Sequence, residues 1–259
     1  MAYRSSSSTS FATATALTAT APAGVVAGDR LLAFVIVDGQ TGPGSAPGNT
    51  ITPATGWTEL LNADQNNPDS QSVRLMEKKV ASGSDLYDFV TSPGGTQAVV
   101  QVVCLSGRHA TQAAVTASTT NTTSNATPIS VSMTGVTALQ NDDVVWFCAL
   151  DQTVGADTWG FSAVAGYTER LDVATGNFLT VATDTADAVS AGATGALTST
   201  ATRATGTGNA GYGGFVVSIP VAPDPYTVAS SGEPSRFVHP AFSDPSLGSR
   251  ELFNAKAWF

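Results

Sequence analysis

The chain has few charged side chains, and those it has are mostly acidic. Charged residues make up 12% of the 259 positions, about half the usual share in a globular protein. The 11 basic and 20 acidic side chains give a net charge of −9. This balance argues against nucleic acid or anionic lipid as a partner, because both attract basic surfaces. Low charge together with 42% hydrophobic residues also excludes a disordered chain.

Long apolar segments are missing as well. No run reaches the roughly 18 residues of a membrane-spanning helix. Met1–Arg4 is followed by serines and a threonine instead of the apolar core of a signal peptide. We therefore expect a soluble protein that is made in the cytoplasm and does not bind a membrane.

Cysteine is scarce. The two cysteines, Cys104 and Cys148, lie in apolar runs. Buried, reduced thiols that pack as small hydrophobic side chains are the expected state. A Cys104–Cys148 disulfide is the alternative.

Helical periodicity is almost absent, whereas strand patterns are frequent. The best helical window, residues 15–27, is interrupted by Pro22 and Gly24. Leu31–Val37 and Val144–Leu150 are continuous apolar runs, which is typical of strands covered on both faces. Alternating segments bounded by Gly, Pro, Asn and Asp supply further short strands. The sequence therefore predicts an all-β fold.

An internal repeat is the most informative feature. Three blocks recur in the same order at offsets of 110 to 114 residues. The blocks are Gly28–Asp38 with Asn141–Asp151, Gly56–Leu61 with Gly166–Leu171, and Val99–Leu105 with Gly213–Ile219. A repeat of this length has the size of a small β-sandwich.

We therefore predict two related antiparallel β-sandwich units of jelly-roll type, residues 1–110 and 111–222. Phe34 should superpose on Phe147, and Trp57 on Tyr167, with all four side chains buried. Residues 111–127, rich in Thr, Ser and Asn, are interpreted as a linker that leads into the first strand of the second unit.

The composition changes after Val221, where five prolines and six aromatic residues follow. Prolines prevent regular helix and central strand, and the aromatic side chains are too apolar for a solvated tail. We interpret residues 223–259 as an extended arm that docks on a neighbouring subunit, with folding back on its own sandwich as the alternative. The predicted anchors are Tyr226, Phe237, Phe242, Phe253, Trp258 and Phe259.

Patterns of catalytic and metal-binding residues are not found. His109 and His239 are isolated, no Gly-x-Ser-x-Gly elbow is present, and zinc-ligand spacing is missing. We predict no enzymatic activity, no cofactor and no metal. Three alternatives stay open: calcium at residues 64–69 or 151–157, a glycosidase-type carboxylate pair, and sugar stacking on Trp57 and Tyr167.

Two blocks resemble a class of tailed-bacteriophage virion proteins. Val25–Asp38 and Gly56–Leu61 match a Gly-Asp-x-Leu-Leu-Ala-Phe-Val strand followed by a Pro-rich loop and Gly-Trp-Thr-x-Leu. Lys78–Ala81 stands where that class often has Lys-x-Ala. The resemblance covers about the first 107 residues and extends more loosely to the second repeat, which lacks the Lys and the Trp.

This resemblance implies a jelly-roll-like virion protein and favours a trimer. We expect a capsid decoration (cement) protein that stabilises the phage head and is assembled in the host cytoplasm. Its partner would be the major capsid protein or another virion protein. The alternatives are a tail-fibre or receptor-binding module that recognises host surface glycans and a glycan-degrading enzyme.

Overall fold

All regular structure in the described part of the chain is β-strand. The computed structural model describes residues 3–12, 15–38, 50–64, 71–80, 87–92, 97–109, 112–121, 127–152, 158–175, 179–207 and 210–222. Within these ranges the regular elements are strands, which confirms the predicted all-β fold. The chain divides into one compact unit, Met1–Pro223, and a second unit, Asp224–Phe259.

The first repeat forms two antiparallel sheets. Its strands are β1 (Tyr3–Ala12), β2 (Ala16–Thr18), β3 (Arg30–Asp38), β4 (Thr50–Thr52), β5 (Thr58–Asn62), β6 (Gln71–Lys79), β7 (Asp88–Ser92) and β8 (Gln97–Leu105). The large sheet has the order β1-β8-β3-β6-β5, and the small sheet has the order β2-β7-β4.

The second repeat has the same sheet topology. Its strands are β9 (Val115–Asn121), β10 (Ile129–Met133), β11 (Thr137–Ala138), β12 (Asp143–Gln152), β13 (Thr158–Phe161), β14 (Thr168–Ala174), β15 (Leu179–Ala186), β16 (Gly192–Ala193), β17 (Leu197–Thr205) and β18 (Ala210–Ile219). The large sheet has the order β9-β18-β12-β15-β14, and the small sheet has the order β10-β17-β13. A short β11-β16 pair is added.

Strand register matches the aligned blocks. Arg30 opens β3 opposite Leu105, and Asp143 opens β12 opposite Ile219, so Phe34 and Phe147 are equivalent. Both are fully buried.

The second aligned pair needs one correction. Trp57 is buried, but Tyr167 is only half-buried. Both follow a glycine with positive φ, +86° at Gly56 and +81° at Gly166, a conformation that glycine adopts without strain.

Four sheet layers enclose three hydrophobic cores. In each repeat an outer core lies between the small sheet and the large sheet, around Trp57 and Phe89 in the first and around Trp146 and Phe161 in the second. The third core is shared, because it joins the inner faces of the two large sheets. The centre strands β3 and β12 are therefore covered on both faces, as their continuous apolar runs predicted.

The two large sheets face each other around a pseudo-twofold axis. β1 contacts β14, β8 contacts β15, β3 contacts β12, β6 contacts β18 and β5 contacts β9. Each outer strand of the first sheet thus faces the counterpart of the strand on the other side of β3, so β1 faces the counterpart of β5 and β8 faces the counterpart of β6. The centre strand β3 faces its own counterpart, β12. An axis parallel to the strands produces this arrangement, so β3 and β12 begin at the same end of the sandwich.

The predicted linker at residues 111–127 is largely wrong. Val115–Asn121 forms β9, an edge strand that pairs with β18. Its Thr and Ser side chains concealed it from a search for apolar runs. Threonine is nevertheless β-branched and favours strands, and an edge strand requires little apolar surface.

Candidate functional site

One end of the sandwich gathers the segments that connect the repeats. We call it the arm end, and it is where β3 and β12 begin and β8 and β18 finish. Beyond these strands, Arg108 pairs with Val221 in an isolated β-bridge. The N–H of His109 donates to the carbonyl of Pro220 at 2.9 Å, and that of Ala222 donates to Gly107 at 3.1 Å. Backbone hydrogen bonds therefore hold the chain up to residue 222.

Two equivalent turns at the arm end are each closed by an aspartate. Asp29 Oδ2 accepts the N–H of Val26 at 2.9 Å, and Asp142 Oδ2 accepts the N–H of Leu139 at 2.9 Å. The residues before them, Gly28 and Asn141, both have positive φ. The Asp side chains follow directly from the Gly-Asp and Asn-Asp dipeptides of the repeat.

The aspartates also explain one of the cysteines. Cys104 Sγ donates to Asp29 Oδ2 at 3.3 Å. At the equivalent position of β18, the Ser218 hydroxyl donates to Asp142 Oδ2 at 2.8 Å. A donor is therefore placed at this point in both repeats, and Cys104 fills that role in addition to packing as a small hydrophobic side chain.

Both thiols are free and buried, which confirms the sequence prediction over the disulfide alternative. Burial, with the Asp29 carboxylate as a second cause, raises the pKa of Cys104 to about 12. Burial also raises the pKa of Cys148 well above its ordinary value. Both side chains are therefore thiols at neutral pH, and a thiol is a poor nucleophile.

Two buried arginines, Arg108 and Arg30, bond the segment that connects the repeats to the ends of the large sheets. Arg108 Nη2 lies 2.7 Å from Asp143 Oδ2, and both side chains are almost inaccessible. Arg108 Nη1 donates to the Asn141 carbonyl at 3.3 Å. Arg30 bonds Glu77 through Nε at 2.8 Å and the carbonyl of Gln112 through Nη1 at 3.0 Å.

The arm end also exposes apolar side chains. The exposed large hydrophobic residues of the described part are Val26, Val90, Val115 and Leu139. Val26 and Leu139 occupy the two equivalent turns, and Val115 begins β9 opposite Ser218. Three of the four therefore lie at the arm end.

The other chemical candidates have structural partners. His109 Nδ1 accepts the N–H of Gln112 at 2.8 Å, so the imidazole caps a turn. Asp64, the first residue of one proposed calcium loop, accepts Arg74 Nη2 at 3.1 Å. Within the described ranges, no group of three or more His, Cys, Asp or Glu side chains is placed to hold a metal ion. Residues 65–69 and 153–157 of the calcium loops, and His239, lie outside them.

Two carboxylates of the second repeat accept hydrogen bonds from loop backbone, and Asp184 is buried whereas Asp172 is exposed. Asp184 Oδ2 accepts the N–H of Val164 at 2.6 Å, and Asp172 Oδ2 accepts that of Phe161 at 3.0 Å. Burial raises the pKa of Asp184 to about 6, and partial desolvation raises the pKa of Asp172, in each case against the opposing effect of the hydrogen bond. Each carboxylate therefore holds a loop backbone in place.

Asp184 should give the protein a pH-dependent stability. The pKa of Asp184 is higher in the folded protein than in the unfolded chain, so the folded state holds its proton more tightly. The resulting contribution to the free energy of unfolding is complete below the unfolded pKa of about 4 and is lost as the pH rises through about 6. Asp184→Asn should therefore flatten the curve of unfolding free energy between pH 4 and 7 by up to about 3 kcal/mol. Urea denaturation at several pH values measures this, with Asp187→Asn as the exposed control. Parallel curves for wild type and D184N would contradict it.

Two cavities lined by described residues are small and open. One, of about 190 Å³, lies beside Gly56, Thr58 and Glu77–Lys79. The Lys78 ammonium at its wall donates to the Thr55 carbonyl at 3.2 Å. The other, of about 410 Å³, lies between residues 134–137 and 193–196. The Glu77 carboxylate in the first lining is bonded to Arg30.

The predicted anchors Tyr226, Phe237, Phe242, Phe253, Trp258 and Phe259 lie outside the described residues. The aligned blocks contain the recurring Asp29 and Asp142, but nothing in them indicates the Arg108–Asp143 pair.

No family model, curated protein or solved structure matches the chain. Among the residues described, no helix is long and apolar enough to cross a membrane.

Proposed function

We propose that this chain is a structural virion protein, a decoration protein that binds the outside of a phage head through residues 223–259. The proposal rests on the hydrogen bonds at the arm end, which hold the chain just before residue 223. There the last described residues, Pro220 and Ala222, are hydrogen-bonded to the segment between the repeats. The sandwich thus provides a fixed base for the start of the aromatic segment.

The chemistry of the described residues supports a role without catalysis. The buried acids hold turns and loops, the histidine caps a turn, and the cysteines are protonated. A structural protein needs only stability and attachment surfaces from its fold. The four packed layers provide stability, and the aromatic side chains of the arm are candidates for the attachment surface.

We infer that the partner is the major capsid protein or another virion protein, and that the working form is a homo-oligomer, with a trimer favoured. Each buried Phe or Trp of the arm would contribute roughly 1.5–3 kcal/mol. Several arms in one oligomer would bind with an avidity beyond that of any single arm. Prolines would lower the entropy lost on docking, because they restrict the free arm.

Deleting the residues after Ala222 should abolish attachment and leave a folded, β-rich protein. Electron microscopy of heads mixed with the full-length or truncated chain measures occupancy, and circular dichroism checks the fold. The triple substitution Phe253→Ala, Trp258→Ala and Phe259→Ala should also weaken attachment. Tyr226→Phe, which keeps its ring, should bind normally.

Normal occupancy by the truncated chain would overturn the role of the arm. Full-length protein that binds host cells or purified surface glycans, but not heads, would instead favour the tail-fibre function.

A further inference from the structure

The shared core between the large sheets is mainly apolar on both sides of β3 and β12. On one side, which we call the polar half, buried polar side chains join the two repeats, and we call the other side the apolar half. In the polar half, β8 faces β15 and β1 faces β14. Thr183 Oγ1 donates to Gln101 Oε1 at 2.5 Å, and Gln101 Nε2 donates to the Val181 carbonyl at 3.2 Å. Gln101 and Thr183 are fully buried, so this direct link between the repeats lies in the interior of the protein.

Two further contacts enlarge the polar half. The Thr175 hydroxyl lies 2.9 Å from Gln97 Oε1, and the Arg170 guanidinium lies 3.7 Å from the centre of the Tyr3 ring. Each contact joins a residue of the first repeat to one of the second.

The pseudo-symmetric positions hold apolar residues. Phe34 pairs with Gln101 and Leu75 in its sheet, whereas Phe147 pairs with Phe215 and Thr183. Phe215 is thus the counterpart of Gln101, and Leu75 is the counterpart of Thr183. Both belong to the shared core, on the facing strands β18 and β6. Leu60 likewise stands at the bulge of β5, where β14 has Arg170.

An interface between two like repeats would therefore be mispaired. Two first repeats would place Gln101 against Leu75, and two second repeats would place Thr183 against Phe215. In each case a buried polar side chain would lose its partner, which costs more than the hydrogen bond itself contributes. Association of unlike repeats satisfies both polar groups.

We propose that the inner faces of the large sheets form a heterotypic recognition surface, in which each face accepts the unlike repeat and rejects a copy of itself. The Gln101–Thr183 contact of the polar half supplies the discrimination, whereas apolar side chains of both halves supply the burial. In the structure the partner of each face is the other repeat of the same chain, which covers it. Contacts with other copies, or with a particle, must then use the sheet edges, the outer faces, the ends or the arm.

Exchanging the side chains of residues 75 and 183, and then also those of residues 101 and 215, tests the proposal in the full-length chain. Leu75→Thr combined with Thr183→Leu keeps the composition but puts Gln101 opposite leucine and Phe215 opposite threonine, which are the two mispaired contacts. The unfolding equilibrium constant should rise by about 100-fold or more. Adding Gln101→Phe and Phe215→Gln re-forms the polar pair in the other half, and should restore the constant to within about 10-fold of wild type.

Urea denaturation measures all three chains, and the re-paired chain decides the result if the mispaired chain does not fold. Thr183→Ser, which keeps the hydroxyl, should match wild type, whereas Thr183→Val should not. The proposal is overturned if the mispaired chain is as stable as wild type. It is also overturned if re-pairing gives no recovery or if the re-paired chain fails to fold.

Discussion

Replacing Arg108 with methionine should lower the free energy of unfolding by about 3–5 kcal/mol, because it leaves the Asp143 carboxylate buried without its cation. Arg108 and Asp143 are 2% and 0% exposed, respectively. The carbonyl of Asn141 would also lose a donor. Chemical denaturation at pH 7.5 gives the value directly.

The loss in R108M should depend on pH in a defined direction. Burial already raises the pKa of Asp143 to about 6, against the opposing effect of Arg108. Without the cation that pKa should rise further, so the variant should lose more stability than wild type as the pH increases from 5 to 8.

Two controls distinguish the stability lost with a buried ion pair from the stability lost through any removal of charge. Arg74→Met should cost within about 1 kcal/mol, since its partners Glu59 and Asp64 are 36% and 33% exposed. The double variant Arg108→Met with Asp143→Leu should recover most of the stability, because both charges are removed together. A small loss in R108M, similar to that in R74M, would refute the importance of the pair.

The alternation of side chains along the central strands shows what a sequence reading can achieve. The run Leu31–Val37 predicts a strand covered on both faces, and the structure confirms it. Leu32 and Phe34 face the shared core, whereas Leu31 and Val35 face the outer core. The run itself does not say what covers the second face, because a small sheet, another repeat or another chain would all require the same apolar residues.

The arm end was harder to predict, for a different physical reason. Asp29 and Asp142 recur because each closes a turn within its own repeat. A residue with such a local role is found at the same position in both repeats. Arg108 and Asp143 do not recur in this way, since the pair joins the connecting segment to one repeat only. The equivalent of Asp143 is Arg30, which has the opposite charge and uses Glu77 and Gln112 as partners. Interactions that distinguish the repeats are invisible to a search for similarity between them.

Phe34→Ala should destabilise the protein by about 3–5 kcal/mol, as expected for removal of a large, fully buried side chain. Its ring centre lies 5.2 Å from that of Phe147 and 5.6 Å from that of Phe215. One side chain of the first repeat therefore packs on two rings of the second. Urea denaturation of the full-length variant measures the loss.

A double-mutant cycle then tests whether the repeats share one core. Phe34→Ala and Phe147→Ala should be non-additive by about 0.5–1.5 kcal/mol, because the two rings contact each other across the sheets. Phe34→Ala and Phe161→Ala should add, since Phe161 belongs to the outer core of the second repeat. Additive losses in both cycles would mean that the repeats fold around separate cores. Coupling confined to the first cycle requires the large sheets to be packed face to face in solution.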